Sequence, residues 1–247
     1  MHWTKRADPK FLTQIKVLAS KTAAVAFCLL LFASVALAGP APADAATASA
    51  GDLDGRTLNR GSSELGFWGG YSPDNPTAIG ITTNRPFGEL NLQYARVLVA
   101  RDNWALKWTI DLVPVAVISQ PRQVNVLQGN FVVSVDAPGT QRAIYGAGAS
   151  PIGLQVNFRR HRMFQPYING TAGVLYFADQ VPVSGSSQFN FAVGWGGGVQ
   201  IWYRENQSVS LGYKFHHISN ANSATRNPGV DSNLFYAGYN WSWHPRH

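Results

Sequence analysis

From about residue 62 onward, apolar residues recur at every second position over segments of roughly ten residues or more, the period of a strand with one apolar face. Eight such segments can be read, at 62–71, 86–100, 103–118, 143–158, 164–178, 187–204, 207–219 and 230–243. In the sixth, Phe189, Phe191, Val193, Trp195, Val199 and Ile201 share one parity, while Asn190, Gly194, Gly196, Gly198 and Gln200 hold the other. The third places Trp104, Leu106, Trp108, Ile110 and Leu112 on one side and Lys107, Thr109 and Asp111 on the other. A soluble barrel turns its large apolar side chains inward. Here the second face is too small and polar to form a core, which fits an apolar outside against lipid and a polar, narrow lumen.

The connections alternate in length. Residues 101–102, 159–163 and 205–206 are tight, whereas 72–85, 119–142, 178–186 and 220–229 are longer. Short turns at one end and long loops at the other are the asymmetry of an outer-membrane barrel. The expected fold is therefore all-β, an eight-stranded antiparallel transmembrane β-barrel over residues 61–243. Two places fit poorly: the faces of the first strand do not separate well, and Arg96 falls on the outward parity of the second, as if a bulge shifted the register. The ending Tyr236-Ala237-Gly238-Tyr239-Asn240-Trp241-Ser242-Trp243 is similar to the C-terminal signal read by barrel-assembly machinery, an expected partner, with 244–247 left as a short tail.

Upstream, Lys5, Arg6, Lys10, Lys16 and Lys21 precede an apolar run from Ala23 to Leu37 that closes on Ala36-Leu37-Ala38. Residues 1–38 are expected to be an export signal and 39–60 a flexible leader rich in Ala, Pro and Thr. Cleavage after Ala38 would change the charge picture. The formal +7 counts five cations and one anion inside the signal, leaving 15 cations against 12 anions, or +3. A nucleic-acid partner thereby loses its main support. The single cysteine, Cys28, also lies in the signal, so the mature chain has neither disulfides nor thiol chemistry.

The chemistry gathers at the seventh and eighth strands. His217 and Ser219 continue the outward stripe of Val209, Leu211, Tyr213 and Phe215, two positions apart, about 6.6–6.8 Å between α-carbons. An imidazole can span that gap to a hydroxyl. Asp231 shares the outward parity of Phe235, Ala237 and Tyr239 and begins the neighbouring strand, which puts a carboxylate opposite Ser219 or diagonal to His217. Polar groups on a lipid-facing surface are costly unless they sit at the membrane boundary or work there. The expected catalytic group is Ser219 as nucleophile, His217 as base and Asp231 as its orienter, at the outer rim, on an amphiphile of the outer leaflet such as lipopolysaccharide. His216, next door on the inward parity, reads as an interior polar group, and Arg226 as a solvated loop arginine.

His217-Ile218-Ser219-Asn220-Ala221, followed by Asn227-Pro228-Gly229-Val230-Asp231-Ser232, resembles the signature of the PagL-type lipid A 3-O-deacylases. The likeness is specific over 213–232 and architectural over the rest of the barrel. It implies an outer-membrane serine esterase, free of cofactor and metal, that removes the 3-O-linked acyl chain of lipid A, with Asn220 at a position that helps form the oxyanion hole. One departure is Asp231 itself, where the pattern commonly has glutamate. Two other readings stay open from the sequence: an outer-membrane phospholipase, and a structural or adhesive barrel without activity.

Overall fold

The computed structural model describes residues 58–243. The expected signal, most of the leader and the tail 244–247 lie outside the described residues. Eight antiparallel strands run β1 (Ser63–Ser72), β2 (Phe87–Ala100), β3 (Trp104–Gln128), β4 (Phe131–Phe158), β5 (Phe164–Phe177), β6 (Phe189–Arg204), β7 (Gln207–Ser219) and β8 (Val230–Trp243). Each pairs with its sequence neighbour, and β1 pairs with β8 from Ser63↔Trp243 to Tyr71↔Phe235, closing the barrel. Closure leaves no edge on the aromatic C-terminal strand for another chain to join.

The two faces divide as the two-residue period requires. Leu65, Phe67, Leu92, Trp108, Ile168 and Phe235 are exposed on the outside, and aromatic side chains band both ends. Trp104, Tyr203, Trp241 and Trp243 lie at the short-turn end, while Tyr145, Tyr176 and Phe189 lie toward the long-loop end. Such girdles mark the two interfaces of a bilayer-spanning barrel.

The inside is polar and filled. Lys107 Nζ donates to Glu64 Oε2 at 2.8 Å and to Gln200 Oε1 at 2.9 Å. Trp68 turns inward, donates its indole N–H to Asp111 at 3.0 Å and receives Lys214 Nζ over its ring at 4.4 Å. An indole inside and Leu65 and Phe67 outside are why β1 shows no clean apolar face in the sequence. Glycines make room for large inward side chains: a Cβ at Gly212 would lie 2.4 Å from Cζ of Tyr236, its partner on the neighbouring strand.

Arg96 does keep the outward parity. It is exposed and pairs with Ser63 at the start of β1 and with Trp108, near the short-turn rim, where a long cationic side chain reaches the headgroup layer. The β2 register shift falls just beyond it, between Val97 and Val99. Pro114 and Pro151, which have no N–H for a ladder, both fall in register shifts of the β3–β4 and β4–β5 pairings. At the same rim Arg160 donates to the carbonyls of Arg101 and Leu58. Leu58, within the span expected to be a flexible leader, is buried against Val97, Ala105 and Trp202.

One expectation fails. Residues 119–142 are not a long loop: β3 and β4 continue as a paired hairpin to Gln128↔Phe131, where Gly129 at φ 62° turns the chain. The two-residue period of Val124 and Val126 against Val133 and Val135 persists there, and the pairing follows it.

Candidate active site

Strands β7 and β8 bring Asp231 directly opposite His217, rather than opposite Ser219 or diagonal to His217 as parity and adjacency suggest, and Nδ1 of the imidazole lies 2.6 Å from Asp231 Oδ1. Ser219, half-buried, ends β7 one outward row further on and pairs with Phe191 of β6, as His217 does with Val193. The three side chains thus share the outer face at the long-loop end. Among the described residues the Ser219 hydroxyl and the second nitrogen of His217 make no hydrogen bond. The contact between imidazole and carboxylate is therefore closed, and no hydrogen bond links the imidazole to the serine hydroxyl.

A carboxylate at a lipid-facing position needs cover, and a segment from the other side of the sequence supplies it. The β1–β2 connection, 73–86, folds back across the start of β8, with Ile81 N–H donating to Pro228 O at 2.9 Å and Thr82 bridging Val230 in parallel. Its Ala78 and Ile79 N–H groups donate to Asp231 Oδ2 at 2.9 and 2.8 Å, and Gly80 N–H lies 3.0 Å from both oxygens. Asp231 is completely buried, while His217 keeps 14% of its side-chain surface exposed. Gly80 is required by contact, since a Cβ there would sit 2.8 Å from the Gly229 carbonyl carbon and from Val230 N. Gly229 in turn has φ 62° and room for no side chain beside His217 Cε1. Two glycines, one on each segment, let the strap lie close against the start of β8 beside the imidazole.

Beyond Ser219 the chain reverses through Ala221 and Asn222, both with positive φ. Asn220 is buried there. Its N–H donates to Asn227 Oδ1 at 2.9 Å and its amide Nδ2 to Arg226 O at 2.8 Å, so it laces the β7–β8 loop. Arg226 lies along Gly185 of the β5–β6 connection, and its guanidinium reaches Ser184 O at 3.4 Å. His216 points inward, buried and stacked on Phe87 at 5.2 Å, as its parity predicts.

Of the candidate site residues, Ser219, His217, Asp231 and Asn220 all lie at the long-loop end of β7 and β8, while His216 belongs to the interior. Sequence reasoning misses Asn227 as a loop tie and the whole strap. Asn227 stands within the motif itself. The strap carries no signal of its own, because it acts through backbone N–H groups that any residue except proline possesses.

An imidazole held by a carboxylate thus lies one outward row from a serine on the outside of the barrel. The model of the PagL family, lipid A 3-O-deacylases, matches residues 88–240, and the chain belongs to that family. It is accordingly an ester hydrolase, which removes the reading as an inert barrel. No curated protein matches the chain. Among solved structures it is similar to the outer membrane enzyme PagL (16% identity, 72% of this chain and 98% of that one, TM-score 0.45). It is also similar to the outer membrane protein OprG from Pseudomonas aeruginosa (14%, 77% and 99%, TM-score 0.42) and to Neisserial surface protein A (14%, 74% and 99%, TM-score 0.43).

Proposed function

We propose that the protein is an outer-membrane serine esterase that removes the 3-O-linked acyl chain of lipid A with a triad of Ser219, His217 and Asp231. The observation that carries this reading is the 2.6 Å contact between His217 Nδ1 and a carboxylate locked by backbone N–H groups, one row from Ser219 on the barrel exterior. Asp231 holds the proton on Nδ1, which leaves Nε2 as the basic nitrogen for the serine. Ser219 Oγ attacks the ester carbonyl as Nε2 takes its proton. The tetrahedral oxyanion collapses, the sugar 3-hydroxyl leaves with that proton, and the acyl chain stays on Ser219 until water, deprotonated by the same imidazole, releases it as a carboxylate.

Asn220 is assigned to oxyanion stabilisation. Both its nitrogens already donate within the loop, so the second N–H of its amide is the donor left to offer. The acidic partner is one methylene shorter than glutamate, and the strap closes on it at that length.

Active groups on the outer face at the long-loop end imply sideways entry of a lipid from the outer leaflet, in keeping with a filled lumen that offers no passage. The signal 1–38 and the closing strand β8 fit export and delivery by the barrel-assembly machinery. The decisive experiment is mass spectrometry of lipid A from cells expressing the protein. Wild type releases the 3-linked chain and Ser219→Ala retains it; equal loss in both would refute the assignment. Purified protein keeps its activity on lipid A in the presence of a chelator, whereas a calcium-dependent phospholipase would lose its activity on phospholipid.

A further inference from the structure

The strap that seats Asp231 has a neck, and one buried guanidinium forms it. Arg85, at the end of the β1–β2 connection, is fully buried. Its backbone N–H donates to Asn75 Oδ1, and Asn75 Nδ2 donates to the carbonyl of Asp231 at 2.7 Å, so the two ends of the strap and the acid are tied at one point. The guanidinium then spreads over its surroundings. Nη1 donates to Thr83 O and Asn84 O, Nε donates to Pro182 O of the β5–β6 connection at 3.0 Å, and Nη2 donates to both oxygens of Asp136 on the β3–β4 hairpin at 3.1 and 2.9 Å.

We propose that Arg85 is a positioning residue for the esterase reaction, knotting three outer connections so that the amides of Ala78, Ile79 and Gly80 stay aimed at Asp231. This rests on the triad reading above and goes beyond it, because Arg85 touches neither the imidazole nor the serine. The physical reason is one of anchoring. Among the described residues, the hydrogen bonds that hold the strap between Asn75 and Arg85 to the barrel are backbone contacts to 228–230, those to the carboxylate it serves, and one from Gln141 Nε2 to Asn84 O beside the neck. Without a fixed neck, the amides fluctuate, the carboxylate is less well held, and the imidazole spends less time in the tautomer and orientation that accept the serine proton. A planar fork with five donors can meet carbonyls of two segments and a carboxylate together; a lysine ammonium, with three donors at a point, cannot.

The test uses full-length protein folded in detergent micelles, assayed on lipid A and on a soluble chromogenic ester. Arg85→Met lowers kcat roughly 10- to 100-fold with KM changed less than about twofold, the signature of a contact that matters only in the transition state. Arg85→Lys recovers a minor part. In an Asp231→Asn background the same Arg85→Met change costs less than about twofold more, since residues acting as a unit are non-additive. Unchanged kcat in folded Arg85→Met overturns the proposal, as does a loss that multiplies fully with that of Asp231→Asn. Should Arg85→Met not fold, as judged by heat-modifiable migration on gels, Asn75→Ala is put through the same cycle, and either of those two results overturns the proposal there as well. Activity surviving Ser219→Ala would instead refute the triad, which separates that failure from this one.

Discussion

Two of the acid–base contacts among the described residues are of similar length and differently enclosed. In the lumen, Lys107 and Glu64 meet at 2.8 Å with 1% and 4% of their side chains exposed, and Gln200 accepts a further bond from the ammonium. On the outside, His217 and Asp231 meet at 2.6 Å with 14% and 0% exposed. The inner pair is closed on every side by neighbouring strands, so its charges offset one another and staple the barrel. The outer pair is closed only on the acid side. Asp231 receives the strap, while the remaining nitrogen of the imidazole makes no hydrogen bond among the described residues. A buried pair with no open face is costly to break from one side; on the triad reading proposed above, a pair with one face left open passes a proton to something that arrives.

That contrast is broken or sharpened by substitution. His217→Ala has the largest expected effect: kcat falls by on the order of 10⁴-fold or more in a lipid A deacylation assay, with heat-modifiable migration of the barrel unchanged. Asp231→Asn keeps the shape but favours the wrong tautomer, and a loss of roughly 10³–10⁴-fold in kcat is expected from the behaviour of such triads. Gly80→Val pushes a side chain into Gly229 and lifts the strap, lowering kcat by about 10- to 100-fold while the strands stay paired, as amide exchange would report. Asp231→Glu costs roughly tenfold, because the strap amides are fitted to the shorter acid. At the small end for catalysis stands Lys107→Met. Per folded molecule its kcat stays within about twofold of wild type, yet it leaves Glu64 buried alone and lowers the stability of the barrel in urea titrations by about 3 kcal/mol. If His217→Ala destabilised and Lys107→Met inactivated, the division of labour between the two pairs would be reversed.

Most of the fold is legible in the sequence because a strand betrays its faces residue by residue. The count of eight, the outward stripe of Phe191, Val193 and Trp195, and the inward place of His216 all follow from a period of two. The hairpin extension of β3 and β4 escapes such a reading although it has the same period. Pro121 and the polar residues around Val124 look like punctuation, and only pairing across the hairpin shows that they are not. Of the site, His217, Ser219 and Asp231 can be brought together from parity and adjacency, and Asn220 from the motif. Asn75, Gly80 and Arg85 cannot, being about 150 residues from Asp231 in the chain.

The sequence by itself determined which residues face lipid and which hydroxyl, imidazole and carboxylate lie on one face, because alternation and strand adjacency are local properties of the chain. Only the tertiary structure decided how a carboxylate survives on that face and what aims it. Those answers lie in backbone N–H groups and in one arginine that joins three connections, and such contacts leave no periodic trace in the order of residues.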